Sequence, residues 1–225
     1  MKAIIFDAST LISLSMNGLT YILNDLKKNF DGKFIITKDV KYEVVDKPIK
    51  IKRFELEAVR IQQLLGEKVL EMPDSLGIDF RDIKAKTEEM KNIANSTFIS
   101  RNRDIKLIDS GETSCLALSR MLDAEKIPNL IAVDERTMRM LCENPEALKR
   151  IMENRLHTKL NTRQENYKNF QGFKFVRSSE LVYTAYKKDL IKIRKGPVLD
   201  ALLYALKFKG CAISGDEIEE IKKIK

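Results

Sequence analysis

Five acidic residues stand where the chain should change its secondary structure: Asp7, Glu43, Asp109, Glu112 and Asp134. Asp7 ends the apolar run Ala3-Ile4-Ile5-Phe6, and Asp134 closes Leu130-Ile131-Ala132-Val133 in the same way. Carboxylates brought to one edge repel, and a pair about 4 Å apart costs roughly 4 kcal/mol at an effective dielectric of about 20. A cluster of four therefore calls for a cation. An all-oxygen donor set favours a hard one, Mg²⁺ or Mn²⁺, which completes its shell with water or phosphate. Each acid also has a purely local explanation. Asp7 and Asp134 would cap helices, Asp109-x-x-Glu112 has capping-box spacing, and Glu43 fits a solvated helix face. Ser9 and Thr10 read either as hydroxyls that orient Asp7 or a bound water, or as plain caps.

Positioning these acids is a task for strands and helices in alternation. A continuous apolar run suits a parallel strand covered on both faces, and ligands collect beyond the carboxyl ends of such strands. Phe34-Ile35-Ile36 reads as a second strand, and Thr37 caps a helix with Val40, Glu43 and Val44 on one face. A helix from Phe54 to Gly66 precedes an expected third strand, Lys68-Val69-Leu70-Glu71-Met72. A helix is expected around Asp82 to Ala94, then a basic loop, Arg101-Asn102-Arg103, and a helix after Glu112. Helices over 135–141 and 146–160 follow, then a strand at Phe173-Lys174-Phe175-Val176. Further helices start at Ser178 or Ser179, at Gly196-Pro197, and at the capping-box pattern Ser214-Gly215-Asp216-Glu217. The expected class is α/β with a central parallel sheet, as a single domain over residues 1–225.

Charge and cysteine usage narrow the partners. The 225 residues carry 41 Lys and Arg against 33 Asp and Glu, a formal charge of +8, which attracts polyanions and makes nucleic acid the first suspect. Cys115, Cys142 and Cys211 have no C-x-x-C spacing, which indicates neither a disulfide framework nor a zinc knuckle and fits a reducing, cytoplasmic setting. Lys2 and the apolar residues after it mimic a signal peptide, yet Asp7 interrupts the apolar core, and no segment approaches a membrane span. His157 is the only histidine and lies far from the acids in sequence, which excludes chemistry with paired histidines. A haloacid-dehalogenase phosphatase needs Asp-x-Asp, and position 9 is Ser. Neither a nucleophile elbow nor a Walker loop is present.

The order of these pieces resembles a known family. Ile4-Ile5-Phe6-Asp7-Ala8-Ser9-Thr10-Leu11-Ile12, Val40-x-x-Glu43-Val44, Asp109-Ser110-Gly111-Glu112 running into Leu116-Ala117-Leu118, and Val133-Asp134-Glu135-Arg136 together look like a PIN domain (PilT N-terminus-like). The match spans about the first 145 residues. It implies a three-layer α/β/α sandwich and a metal-dependent endonuclease, usually an endoribonuclease, using Mg²⁺ or Mn²⁺. The resemblance assigns catalysis and metal binding to Asp7, Glu43, Glu112 and Asp134, with Asp109 as an extra ligand. The segments at about 75–105 and 143–172 are longer than in the compact toxin members, which argues against a toxin. Arg101, Arg103, Lys149, Arg150, Arg155, Lys159 and Arg163 are candidates for phosphate contacts, and Tyr167, Phe170 and Phe173 for stacking on unpaired bases. Solvated faces and ordinary core aromatics are the plainer reading of the same residues. RNA is the expected partner, with DNA and a homodimer left open and no membrane. The alternative is a non-catalytic PIN-like RNA-binding or scaffolding protein.

Overall fold

The computed structural model describes residues 1–224. Its strands are β1 (Ala3–Phe6), β2 (Lys33–Ile35), β3 (Phe98–Ser100), β4 (Arg103–Asp104), β5 (Asn129–Ala132), β6 (Asn161–Thr162) and β7 (Phe175–Val176). The helices are α1 (Ala8–Met16), α2 (Tyr21–Lys28), α3 (Lys38–Lys41), α4 (Glu55–Gly66), α5 (Phe80–Asn95), α6 (Ser110–Ala124), α7 (Arg136–Glu143), α8 (Pro145–Leu156), α9 (Ser178–Lys187), α10 (Val198–Phe208) and α11 (Gly215–Lys223).

Four strands form a parallel sheet in the order β2-β1-β5-β7, flanked by helices, an α/β arrangement compatible with a three-layer sandwich. All four residues of β1 are buried, as expected of a strand with neighbours on both edges and helices on its faces. Ile4 lies opposite Phe34 on one side and Leu130 on the other, and Phe6 lies opposite Ala132. Asp7 and Asp134 consequently leave the sheet at the same edge. Helix α6 packs on β1 and β5 with α5 against it, while α9 contacts α1, α2 and α10.

The expected strand over 68–72 shrinks to one parallel bridge between Ile35 and Glu71. Backbone chemistry explains this. The amides of Val69 and Leu70 both donate to the Leu64 carbonyl, closing α4 instead of pairing with β2, and Lys68 is left-handed at φ 56°. The segments 75–105 and 143–172 form one substructure. A second sheet, β4-β3-β6, pairs Phe98 with Thr162, and Ile99 with both Asp104 and Asn161. The basic loop is the tip of a two-residue hairpin, with Arg101 and Asn102 at φ 48° and 62°. Among the described residues no helix is long and apolar enough to cross a membrane.

Candidate carboxylate site

Asp7 follows β1 directly and caps α1. It is 2% exposed; Oδ2 accepts hydrogen bonds from the Ser9 amide at 3.0 Å and the Ser9 hydroxyl at 2.5 Å. The same hydroxyl accepts from the amides of Asp134 at 3.0 Å and Glu135 at 3.3 Å. Ser9 thus orients Asp7 and ties the ends of β1 and β5 together, whereas the fully buried Thr10 hydroxyl has no hydrogen-bond partner and neither orients Asp7 nor caps the helix. The other oxygen, Oδ1 of Asp7, is buried without a hydrogen-bond partner.

Glu43 arrives from the helix after β2. Thr37 caps that helix by accepting the Val40 amide at 3.2 Å and shares a 2.6 Å hydrogen bond with Ser114 on α6. After Lys41 the helix widens into a π turn over Tyr42–Asp46, with the Lys47 amide donating to the Tyr42 carbonyl at 3.0 Å. Such turns insert a residue and re-aim side chains, and they recur at functional sites. Here the turn directs Glu43 at Gly111. A β-carbon on Gly111 would lie 2.6 and 2.8 Å from the two carboxylate oxygens of Glu43.

Glu112 stands in the first turn of α6. Its Oε2 accepts the Asp109 amide at 3.1 Å, so the capping-box reading of Asp109-x-x-Glu112 holds locally. That contact uses one oxygen only; Oε1 is buried and unpartnered. Asp109 itself is exposed and ion-paired with Lys106.

Asp7 lies within electrostatic reach of Glu43, Glu112 and Asp134, with Asp109 on the rim. Asp134 differs in what its oxygens bond. It is 0% exposed, and its oxygens accept the Ser178 amide at 2.7 Å and the Ser178 hydroxyl at 2.6 Å. Both are spent on the start of α9, and Glu135 rather than Asp134 caps α7. Two further acids contribute charge. Asp39 and Glu135 act on Glu43 and Glu112 respectively. The i, i+4 spacing of Asp39 and Glu43 was a readable signal for the first.

Burial and mutual repulsion act together on these groups. Desolvation raises the pKa of Glu43 to about 7, and the charges of Asp7, Asp109 and Asp39 add to the effect. Desolvation raises Glu112 to about 8, with Asp7 again the largest charge contribution. Burial also raises Asp7, against the lowering effect of the Ser9 and Ala8 hydrogen bonds. Cys115, buried under the site with Sγ 3.8 Å from the Phe6 carbonyl, is pushed up by desolvation and then by Asp7, Glu112 and Glu43. Its buried thiol is no nucleophile.

Buried acceptors without partners cost about 1–3 kcal/mol each, more when charged. Asp7 Oδ1 and Glu112 Oε1 are two of them, and protons or a cation relieve both. Among the described residues no three His, Cys, Asp or Glu side chains are gathered tightly enough to hold a metal ion by themselves. That is a looser arrangement than a closed protein cage. Mg²⁺ characteristically takes one or two carboxylates and keeps several waters.

The expected nucleic-acid contacts fall into two groups. Arg101 and Arg103 are exposed at the hairpin tip, where with Ser100, Asp104, Ile105 and Leu156 they line a surface cavity of about 640 Å³. Arg150 and Arg155 are exposed on α8, Lys149 is half-buried, and exposed Lys159 lies 3.7 Å from Glu153. Arg163 is structural, bonded to Asp104 at 2.8 Å and to the Ser96 carbonyl. Phe170 is a correction: at 0% exposure it belongs to the core and offers no face to a base. Tyr167 packs edge-on to Phe98, and Phe173 lies under the Arg120 guanidinium. His157 is an exposed, left-handed residue at the end of α8. Comparison with protein-family models, curated proteins and solved structures finds no match for this chain.

Proposed function

We propose that the chain is a PIN-like, metal-dependent endoribonuclease whose working pocket is formed by Asp7, Glu43 and Glu112. The observation that carries this reading is the pair of buried, unpartnered oxygens, Asp7 Oδ1 and Glu112 Oε1, at the carboxyl edge of β1. Catalysis at such an edge follows the general rule for open parallel sheets. Mg²⁺ or Mn²⁺ would take one or two of these carboxylates and fill the rest of its shell with water and phosphate, and when bound it would lower the pKa of water and draw charge from a phosphodiester. The chain's own groups do the rest. Ser9 fixes the Asp7 carboxylate and locks it to the end of β5. Asp134 holds α9 against that edge through Ser178 and so keeps the floor rigid. The hairpin arginines and the α8 cations are exposed and offer phosphate contacts on a chain whose net charge is +8.

One observation favours the non-catalytic alternative, an RNA-binding or scaffolding protein of the same shape: both Asp134 oxygens are engaged inside the protein. Replacing Asp7 by Asn separates the two. Purified protein is incubated with single-stranded and structured RNA, with Mn²⁺, Mg²⁺ or chelator. The nuclease cleaves only with the ion and loses cleavage in Asp7→Asn while still binding RNA. Binding without ion-dependent cleavage in the unaltered protein selects the scaffold.

A further inference from the structure

The stretch that carries Glu43 into the pocket continues along the surface as Tyr42 to Phe54. Tyr42 is 57% exposed beside Glu43, and Phe54 is 41% exposed at the far end. Between them the chain runs through the π turn, a 3-10 turn at Pro48–Lys50 and a bend into α4. Lys41 and Lys52 are neutralised by Asp46 at 2.7 Å and Glu55 at 2.9 Å. Lys47, Lys50 and Arg53 are exposed and have no ion-pair partner among the described residues; the Arg53 guanidinium sits 5.4 Å from the Phe54 ring centroid. The only carboxylate here free of such a pair is Glu43, which faces the pocket.

Ile51, Leu56 and Val59 are also exposed along this part of the chain, but it is the two aromatic rings with three unpaired cations between them that match a strand of nucleic acid, where each nucleotide offers a flat base and a phosphate. A paired duplex hides those base faces and leaves the rings without a partner. We infer that the surface from Tyr42 to Phe54 docks a single strand of nucleic acid, stacking unpaired bases on Tyr42 and Phe54 and binding phosphates at Lys47, Lys50 and Arg53. Tyr42, adjacent to Glu43, holds the base nearest the pocket. This rests on the nuclease reading for its direction, from Phe54 toward Glu43, but the binding itself needs no cleavage. The docking surface shares no residue with the hairpin arginines and is tested independently of them.

The test is fluorescence anisotropy in chelator, with labelled oligouridine and with the duplex it forms with oligoadenosine. Two variants are compared with the unaltered protein after circular dichroism confirms that they fold: Lys47→Ala/Lys50→Ala/Arg53→Ala and Tyr42→Ala/Phe54→Ala. All five side chains are exposed, so both variants keep the core. The charge variant weakens oligouridine binding at low salt and flattens the dependence of log K on log salt by about 2, since each phosphate contact to a single strand contributes about 0.7. The aromatic variant weakens binding on the order of tenfold with the slope unchanged. Oligouridine binds more tightly than the duplex. Unchanged affinity in both variants, or equal affinity for duplex, overturns the assignment. So does a shift in oligomeric state on size exclusion with RNA affinity intact, which would make the patch a protein interface. If the variants behave as stated while the unaltered protein cleaves nothing with Mn²⁺, the nuclease reading fails and this surface stands. If it cleaves and the variants bind normally, this surface alone fails.

Discussion

Glu43 presses its carboxylate into the space that a β-carbon on Gly111 would fill, with oxygens 2.6 and 2.8 Å from that position. Gly111 has an ordinary helical place in α6, so its lack of a side chain serves the contact and not a special backbone angle. Gly111→Ala should cost the fold about 1 kcal/mol at most, because the atoms in the way are the movable end of a side chain and alanine is favoured over glycine in a helix, and should displace Glu43 from the pocket. Urea unfolding gives the first effect, and ion-dependent cleavage should fall at least tenfold by the usual cost of misplacing a reacting group (~10²). Truncating the obstacle, as in Gly111→Ala combined with Glu43→Ala, should restore most of the stability and none of the cleavage. A strictly additive stability loss would show that the two residues are not coupled.

A second expectation concerns pH. Glu43 and Glu112 ionise in the folded protein at about 7 and about 8, but near 4.5 in an unfolded chain. Between these values the folded state holds more protons than the unfolded state, so stability falls as pH rises. The contribution is complete below about pH 4.5 and is lost as pH passes through about 7 to 8. Thermal melts in chelator should therefore show a declining Tm over this range, and Glu112→Gln should flatten the decline. Mn²⁺ should raise Tm strongly at the alkaline end and hardly at all at the acidic end, where protons compete for the same oxygens. A chelator profile that climbs with pH would contradict the buried placement of these acids.

Much of this pocket was visible in the sequence because its determinants are local. An apolar run that stops at Asp7, a Thr37 that caps, and a Glu112 spaced three from Asp109 are all set within a few residues, and each sits where expected. What escaped depends on distant partners. Asp134 looks like Asp7 in sequence, but its partner Ser178 lies 44 residues on, and no local pattern announces that bond. Gly111 is explained only by Glu43, which reaches it from another helix. The hairpin tip has no glycine to reveal it, and Phe170 differs from a stacking aromatic only in what covers it. The π turn at Tyr42–Asp46 leaves the 3.6-residue period at the one place where an extra residue is useful.

The Asp134–Ser178 pair yields a third prediction. Asp134→Ala strips acceptors from a buried amide and a buried hydroxyl, and should cost about 2–4 kcal/mol. Asp134→Asn keeps one oxygen for the Ser178 amide, and the Ser178 hydroxyl can turn to accept from the new NH₂ group, so the fold should survive with a loss of about 1 kcal/mol. A group that only positions α9 should then leave ion-dependent cleavage within about tenfold of the original, whereas Asp7→Asn abolishes it. Equal loss of cleavage in a well-folded Asp134→Asn would instead place Asp134 among the ion's ligands.

The hairpin tip allows fold and function to be pulled apart. Arg101 and Asn102 both occupy left-handed conformations, at φ 48° and 62°, between the paired residues Ser100 and Arg103. An arginine held there costs about 1–2 kcal/mol relative to glycine, and Asn-Gly is the pair such a two-residue turn prefers. Arg101→Asn combined with Asn102→Gly should therefore stabilise the substructure, by about 1 kcal/mol in urea unfolding. If the arginine serves only the fold, nothing else changes. If it contacts phosphate, the more stable variant binds RNA more weakly, and its log K against log salt flattens by about 0.7 for the lost contact. Gain of stability with loss of salt-sensitive affinity is the expected result, because a strained cation on an exposed tip has no packing role to justify it.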